Sequence, residues 1–129
     1  MPKFFLGITF SLLALLGFSC SSAEKKICYK KLMNKRKFNY INQNPSTNFF
    51  LIKDSIQTEF VDNKFYAQSK LIWTSCSTYC LVVQKINYEQ GLDIGDTLQI
   101  KLLSIKRDTI SYVSSARGKT LNSRFVLTR

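Results

Sequence analysis

The stretch from Phe49 to Trp73, FFLIKDSIQTEFVDNKFYAQSKLIW, decides the fold. Phe49 to Ile52 begins one strand, and Ile56, Thr58 and Phe60 share one face of the next. Asp62-Asn63 reads as a tight connection, beyond which Phe65, Ala67, Leu71 and Trp73 fall on one face of a further strand. Alternation with a period of two is the signature of half-buried strands, because successive side chains leave a pleated backbone on opposite sides. The same parity sets Gln57, Glu59 and Val61 opposite Ile56 and Phe60, and predicts a solvated Glu59.

The pattern continues both ways from this stretch. Upstream, Phe38 and Tyr40 alternate with polar neighbours before the turn-forming run Asn42-Gln43-Asn44-Pro45-Ser46-Thr47-Asn48. Downstream, a break near Ser75 to Thr78 precedes a strand from Tyr79 to Ile86, and Tyr88 to Asp96, with Gly91 and Gly95, is the longest loop of the body. Leu98, Ile100 and Leu102 alternate, Ile110 and Tyr112 begin another strand after Asp108, and Phe125 with Leu127 closes the chain beyond Arg117-Gly118-Lys119. About eight strands joined mostly by short connections predict an all-β antiparallel meander, closed as a small lipocalin-like barrel or folded as a sandwich. A barrel of that size is filled by side chains or holds one small ligand. Ten Phe, six Tyr and one Trp favour a filled core, with Trp73 as an anchor.

The first 19 residues have another character. Lys3 gives a positive start, Phe4 to Phe18 form an apolar run shorter than the roughly 20 residues a spanning helix needs, and Ser19-Cys20-Ser21-Ser22 supplies small residues. The segment reads as a cleavable signal helix, and Leu16-Gly17-Phe18-Ser19-Cys20 resembles the lipobox of bacterial lipoproteins. Cys20 is then the lipid attachment site. The chain divides into a signal at 1–19, a tether at 20–37 and one β-domain at 38–129.

The whole chain carries a formal charge of +11, concentrated in the tether: Lys25, Lys26, Lys30, Lys31, Lys35, Arg36 and Lys37 face only Glu24. Beside an acyl anchor, each near-surface Lys or Arg adds about 1 kcal/mol of attraction to anionic headgroups, so these seven are the expected membrane-surface contacts. Tyr29, Phe38 and Tyr40 interleave with this charge, but no complete nucleic-acid motif accompanies them, and no nucleic-acid partner is expected.

Once Cys20 is lipidated, Cys28, Cys76 and Cys80 remain as disulfide candidates, and export puts them where disulfides persist. A bond from Cys28 to Cys76 or to Cys80 would clip the tether to the body; Cys76 and Cys80 could pair only across a turn at Ser77-Thr78. Three thiols without a single His match no zinc site. The lack of His also removes Ser-His and Cys-His nucleophile pairs, and no phosphate-cradling glycine loop occurs. Asp54 with Glu59, or Glu59 with Asp62, are the carboxylate pairs nearest to a glycosidase-like arrangement, but a solvated Glu59 speaks against them. Asp93 and Asp96 are too few for calcium and read as turn-shaping residues. Neither an enzyme nor a cofactor is expected.

Asp54-Ser55-Ile56-Gln57-Thr58-Glu59, the strand Ser69-Lys70-Leu71-Ile72-Trp73, and Cys76 to Leu81 resemble an uncharacterised group of small flavobacterial lipoproteins with a D-S-L-Q-x-E-like segment and a W-x-x-x-C-x-aromatic-x-L strand. This chain departs from that pattern in having Cys76 three residues after Trp73, and an additional Cys80. The resemblance implies an envelope lipoprotein and transfers no activity. Ser21 and Ser22 after the anchor resemble outer-membrane lipoproteins, and the isolated Glu24 resembles those facing the periplasm. Two functions fit: an interaction or structural module that meets an envelope protein or an anionic surface, or a lipocalin-like carrier with a small apolar ligand inside the barrel.

Overall fold

The computed structural model describes residues 27–128; the signal segment, Cys20, Lys25 and Lys26 lie outside the described residues. Eight strands follow one another as β1 (Arg36–Tyr40), β2 (Phe49–Lys53), β3 (Ile56–Val61), β4 (Lys64–Trp73), β5 (Thr78–Ile86), β6 (Thr97–Lys106), β7 (Thr109–Ala116) and β8 (Lys119–Leu127). Each pairs antiparallel with the next, and β8 returns to β1, so the sheet closes into a barrel. Closure removes the free edges that an open sheet of this size would expose.

Four of the hairpins turn in two residues. Asp54 and Ser55 have φ of 52° and 64°, and Asp62 and Asn63 have 55° and 62°. Positive φ at both central residues matches the right-handed twist of the flanking strands, and Asp and Asn tolerate it better than most residues. Arg117-Gly118 turns the same way, with φ of 50° and 76°. Because the strands run alternately up and down, the β2–β3, β4–β5 and β6–β7 turns mark one end of the barrel, here the floor. The loops 41–48 and 87–96 and the other two tight turns mark the rim.

A short helix, α1 (Tyr29–Met33), closes the floor. Tyr29 and Met33 stand four apart on one helical face, and both are buried in the barrel core. The Tyr29 N–H donates to the Cys76 carbonyl at 2.8 Å, and a Cys28–Cys76 disulfide fixes the helix to the β4–β5 turn. This corrects the expected tether. Its described part, from residue 27 onward, is folded into the domain, because two apolar anchors embedded in a lysine-rich segment have a core to enter. Lys30, Lys31, Lys35 and Arg36 stay exposed around the floor, while Lys37 is half-buried outside the barrel with Nζ 4.2 Å from the Phe49 ring centroid.

The lower interior is filled. Phe38, Phe50 and Phe125 pack with centroids 5.0 to 5.2 Å apart, stacked or edge-on, and Ile52, Leu71, Leu102, Ile110 and Leu127 complete the cluster. Trp73 packs against Tyr79 at 4.8 Å, as a core anchor should. A register shift between Glu59 and Phe60 sets Phe65 opposite Phe60 and Ala67 opposite Glu59, which takes Phe65 out of the set shared by Ala67, Leu71 and Trp73.

Candidate site: an upper chamber in the barrel

The inward face of β3 is its polar one. Gln57 stands opposite Ile52 and Glu59 opposite Phe50, both core positions of β2, so Gln57 and Glu59 point into the barrel. Phe60 is on the outside, its ring stacked on Phe49 at 4.9 Å. This reverses the expectation of a solvated Glu59. An isolated hairpin would bury Ile56 and Phe60; closure of the barrel fixes the opposite face inward, because the neighbouring positions of β2 and β4 are already set.

Above the aromatic layer the interior is hollow, which corrects the expectation of a completely filled core. A cavity of about 220 Å³ is lined by Tyr40, Phe50, Gln57, Glu59, Tyr79, Leu81, Leu98, Ile100, Tyr112, Ser114, Leu121 and Phe125. Its cause is side-chain size. The positions paired inward with Glu59, Gln57, Leu121 and Tyr112 are Ala67, Ser69, Ser114 and Ser123, where the floor has Phe, Leu and Ile. Leu98, Ser114 and Leu121 also line a depression of about 580 Å³ at the rim, together with Gly91, Leu92, Arg117 and Lys119, so the chamber continues toward solvent.

The polar groups of the chamber are incompletely satisfied. The Gln57 side chain is only 4% exposed, and its Oε1 has no hydrogen-bond partner in the protein. Leaving a buried acceptor unpaired costs about 1 to 3 kcal/mol. The Tyr40 hydroxyl donates to Glu59 Oε1. Burial raises the Glu59 carboxyl above its ordinary pKa of 4.5, and the hydrogen bond from Tyr40 opposes that rise. Tyr40 is itself pushed well above its ordinary value, first by burial and then by the Glu59 charge. Burial likewise raises Tyr79 and Tyr112.

The rim is built by the 87–96 loop and the β7–β8 turn. Arg117 donates to Asp93 at 2.9 Å and also pairs with Asp96, while the Asp93 N–H donates to Asp96 Oδ2 at 2.8 Å. The two acids therefore shape the loop and fasten it across the mouth. Gly91 is required here: at its φ of +142°, a Cβ would come within 2.8 Å of the Tyr88 ring.

The site residues expected from sequence fall elsewhere. Cys28 and Cys76 are bonded at the floor, and Cys80, half-buried on β5, is a free thiol. Asp54 and Asp62 occupy exposed turns at opposite ends of β3, so neither joins Glu59 inside. Of the expected membrane-contact residues, Lys30, Lys31, Lys35, Arg36 and Lys37 all lie away from the chamber lining. The chamber residues were missed, although one signal was present: Gln57 and Glu59 share a parity inside a strand that must close a barrel. Among known proteins, the chain matches no family, no curated protein and no solved structure.

Proposed function

We propose that the chain is a lipid-anchored envelope lipoprotein whose barrel binds a small, mainly apolar molecule in its upper chamber. The observation that carries this reading is Gln57, a buried side chain with an unused acceptor, facing a cavity that continues to the rim. Buried polar groups in folded proteins are nearly always paired, and a ligand donor at this point supplies the missing bond. The Ser19-Cys20 signal pattern supports the envelope assignment, as does the Cys28–Cys76 bond, since such bonds persist in oxidising compartments. The described chain enters at the floor beside Lys30, Lys31, Lys35 and Arg36, so an anchor at Cys20 would hold this basic end toward anionic lipid and turn the mouth away from it.

Saturation-transfer NMR with 2-phenylethanol, a small neutral aromatic probe, tests the chamber. Binding is expected for the wild-type protein and its loss for Ser114→Trp, which fills the passage, provided circular dichroism shows that variant to be folded. Leu98→Trp gives a second block of the same passage. Absence of binding to the wild type, or equal binding to folded blocked variants, would overturn the reading.

A further inference from the structure

We propose that the ligand of this chamber is an organic ammonium ion with a compact apolar body, its charged nitrogen held by Glu59. The inference rests on the chamber being a ligand site and adds the chemistry of the ligand. Among the described residues Glu59 is the one charged residue in the lining, with no Lys or Arg beside it there. One carboxylate oxygen accepts from Tyr40, and the ion pairs among the described residues all belong to Arg117 at the rim, so no cation among the described residues is paired with Glu59. A carboxylate partly withdrawn from water without a counter-charge is costly, and a cation delivered to the same space lowers that cost.

The remaining chemistry of the lining favours a donor. Glu59 and Gln57 project from the same face of β3 two residues apart, and an ammonium group carries N–H donors for the Glu59 carboxylate and for a neighbouring polar group. Tyr40, Phe50, Tyr79, Tyr112 and Phe125 supply ring faces and edges around them, and desolvated cations are attracted to aromatic faces. An anionic ligand would meet Glu59 as a like charge. The rim does not oppose a cation despite the basic chain: Asp62, Glu89, Asp93 and Asp96 there balance Lys64, Lys85, Arg117 and Lys119. A body too long for the 220 Å³ chamber leaves past Leu98 and Leu121 into the rim depression.

The test compares two probes of nearly equal shape, phenethylammonium and 2-phenylethanol, titrated calorimetrically into the folded mature protein at pH 7. The ammonium is expected to bind roughly tenfold tighter or better, as one charge-assisted hydrogen bond implies. Glu59→Gln should narrow the preference for the ammonium over the alcohol to near unity. A wild-type protein that binds the alcohol equally or more tightly overturns the ammonium assignment and leaves the chamber reading standing. Binding of neither probe overturns both.

A pH titration of the wild type serves if the variant does not fold. Ammonium affinity should fall as Glu59 becomes protonated at acid pH, and alcohol affinity should not. The other titratable groups facing Glu59 are Tyr40 on β1, Tyr79 on β5, Tyr112 on β7 and Tyr88 from the rim loop, and burial holds all four neutral well into the alkaline range. An ammonium affinity flat across the acid range would contradict a role for Glu59.

Discussion

The two halves of the barrel interior are built on opposite principles. The floor is apolar, closely packed and covalently clamped, with Phe38, Met33 and Ile110 fully excluded from solvent. The upper half places Gln57, Glu59, Ser69 and Ser114 on the same inward face of the same sheet and leaves space between them. The difference shows where stability is concentrated. The fold is held from below, which frees the upper half to keep an unpaired acceptor and a partly desolvated carboxylate that a pure packing core would not retain.

This contrast sets the order of expected effects. The largest belongs to the floor: Phe38→Ala should lower unfolding free energy by about 3 to 5 kcal/mol in urea titrations, as truncation of a fully packed aromatic does. Leu121→Ala at the 61% exposed rim position should stay within about 0.5 kcal/mol. A similar loss at both sites would erase the distinction. Next comes the clamp. Replacing both Cys28 and Cys76 by Ser removes a link spanning 48 residues and should cost about 2 to 4 kcal/mol, seen as a lower urea midpoint.

The chamber should respond with the opposite sign. Gln57→Leu replaces a buried amide whose Oε1 is unpaired by an apolar group of similar size, and a gain of about 1 to 3 kcal/mol is expected in the same assay. A loss would mean that the amide is satisfied in solution. The smallest effect is that of Glu59→Gln. Because the folded-state pKa of Glu59 is raised above 4.5, its contribution to stability is fully present below that pH and is lost as pH rises through the folded value. The variant should therefore be modestly more stable than wild type at neutral pH, with the gap narrowing as pH falls through the raised folded-state value toward 4.5 and closed below it. A gap that widens on acidification would reverse the assigned direction.

Most of the architecture was legible in the sequence, because strand parity and turn chemistry are local. Asp62-Asn63 and Arg117-Gly118 mark their own hairpins, and eight alternating segments leave few topologies. The choice between sandwich and barrel was not legible, since it depends on β1 meeting β8 across the whole chain. The direction of the β3 faces was lost for the same reason. Ile56 and Phe60 look like the buried face of any amphipathic strand, and only the register with Ile52 and Phe50 sends Gln57 and Glu59 inward. The Lys-rich segment before β1 misled through composition, because charge outweighs two apolar residues in any average while Tyr29 and Met33 decide the packing. Cys28 with Cys76 was one of three pairings left open, and the choice needed the docking of α1 on the β4–β5 turn.

The most direct test of the division between floor and chamber is methyl NMR during titration with phenethylammonium. Shifts are predicted for Leu81, Leu98, Ile100 and Leu121, which line the chamber, with Ile110, Leu127 and Leu71 in the floor unmoved. Shifts centred on the outward, exposed Leu51, Ile72 and Leu103, or spread evenly through the floor, would contradict an upper chamber that receives a ligand above a closed base.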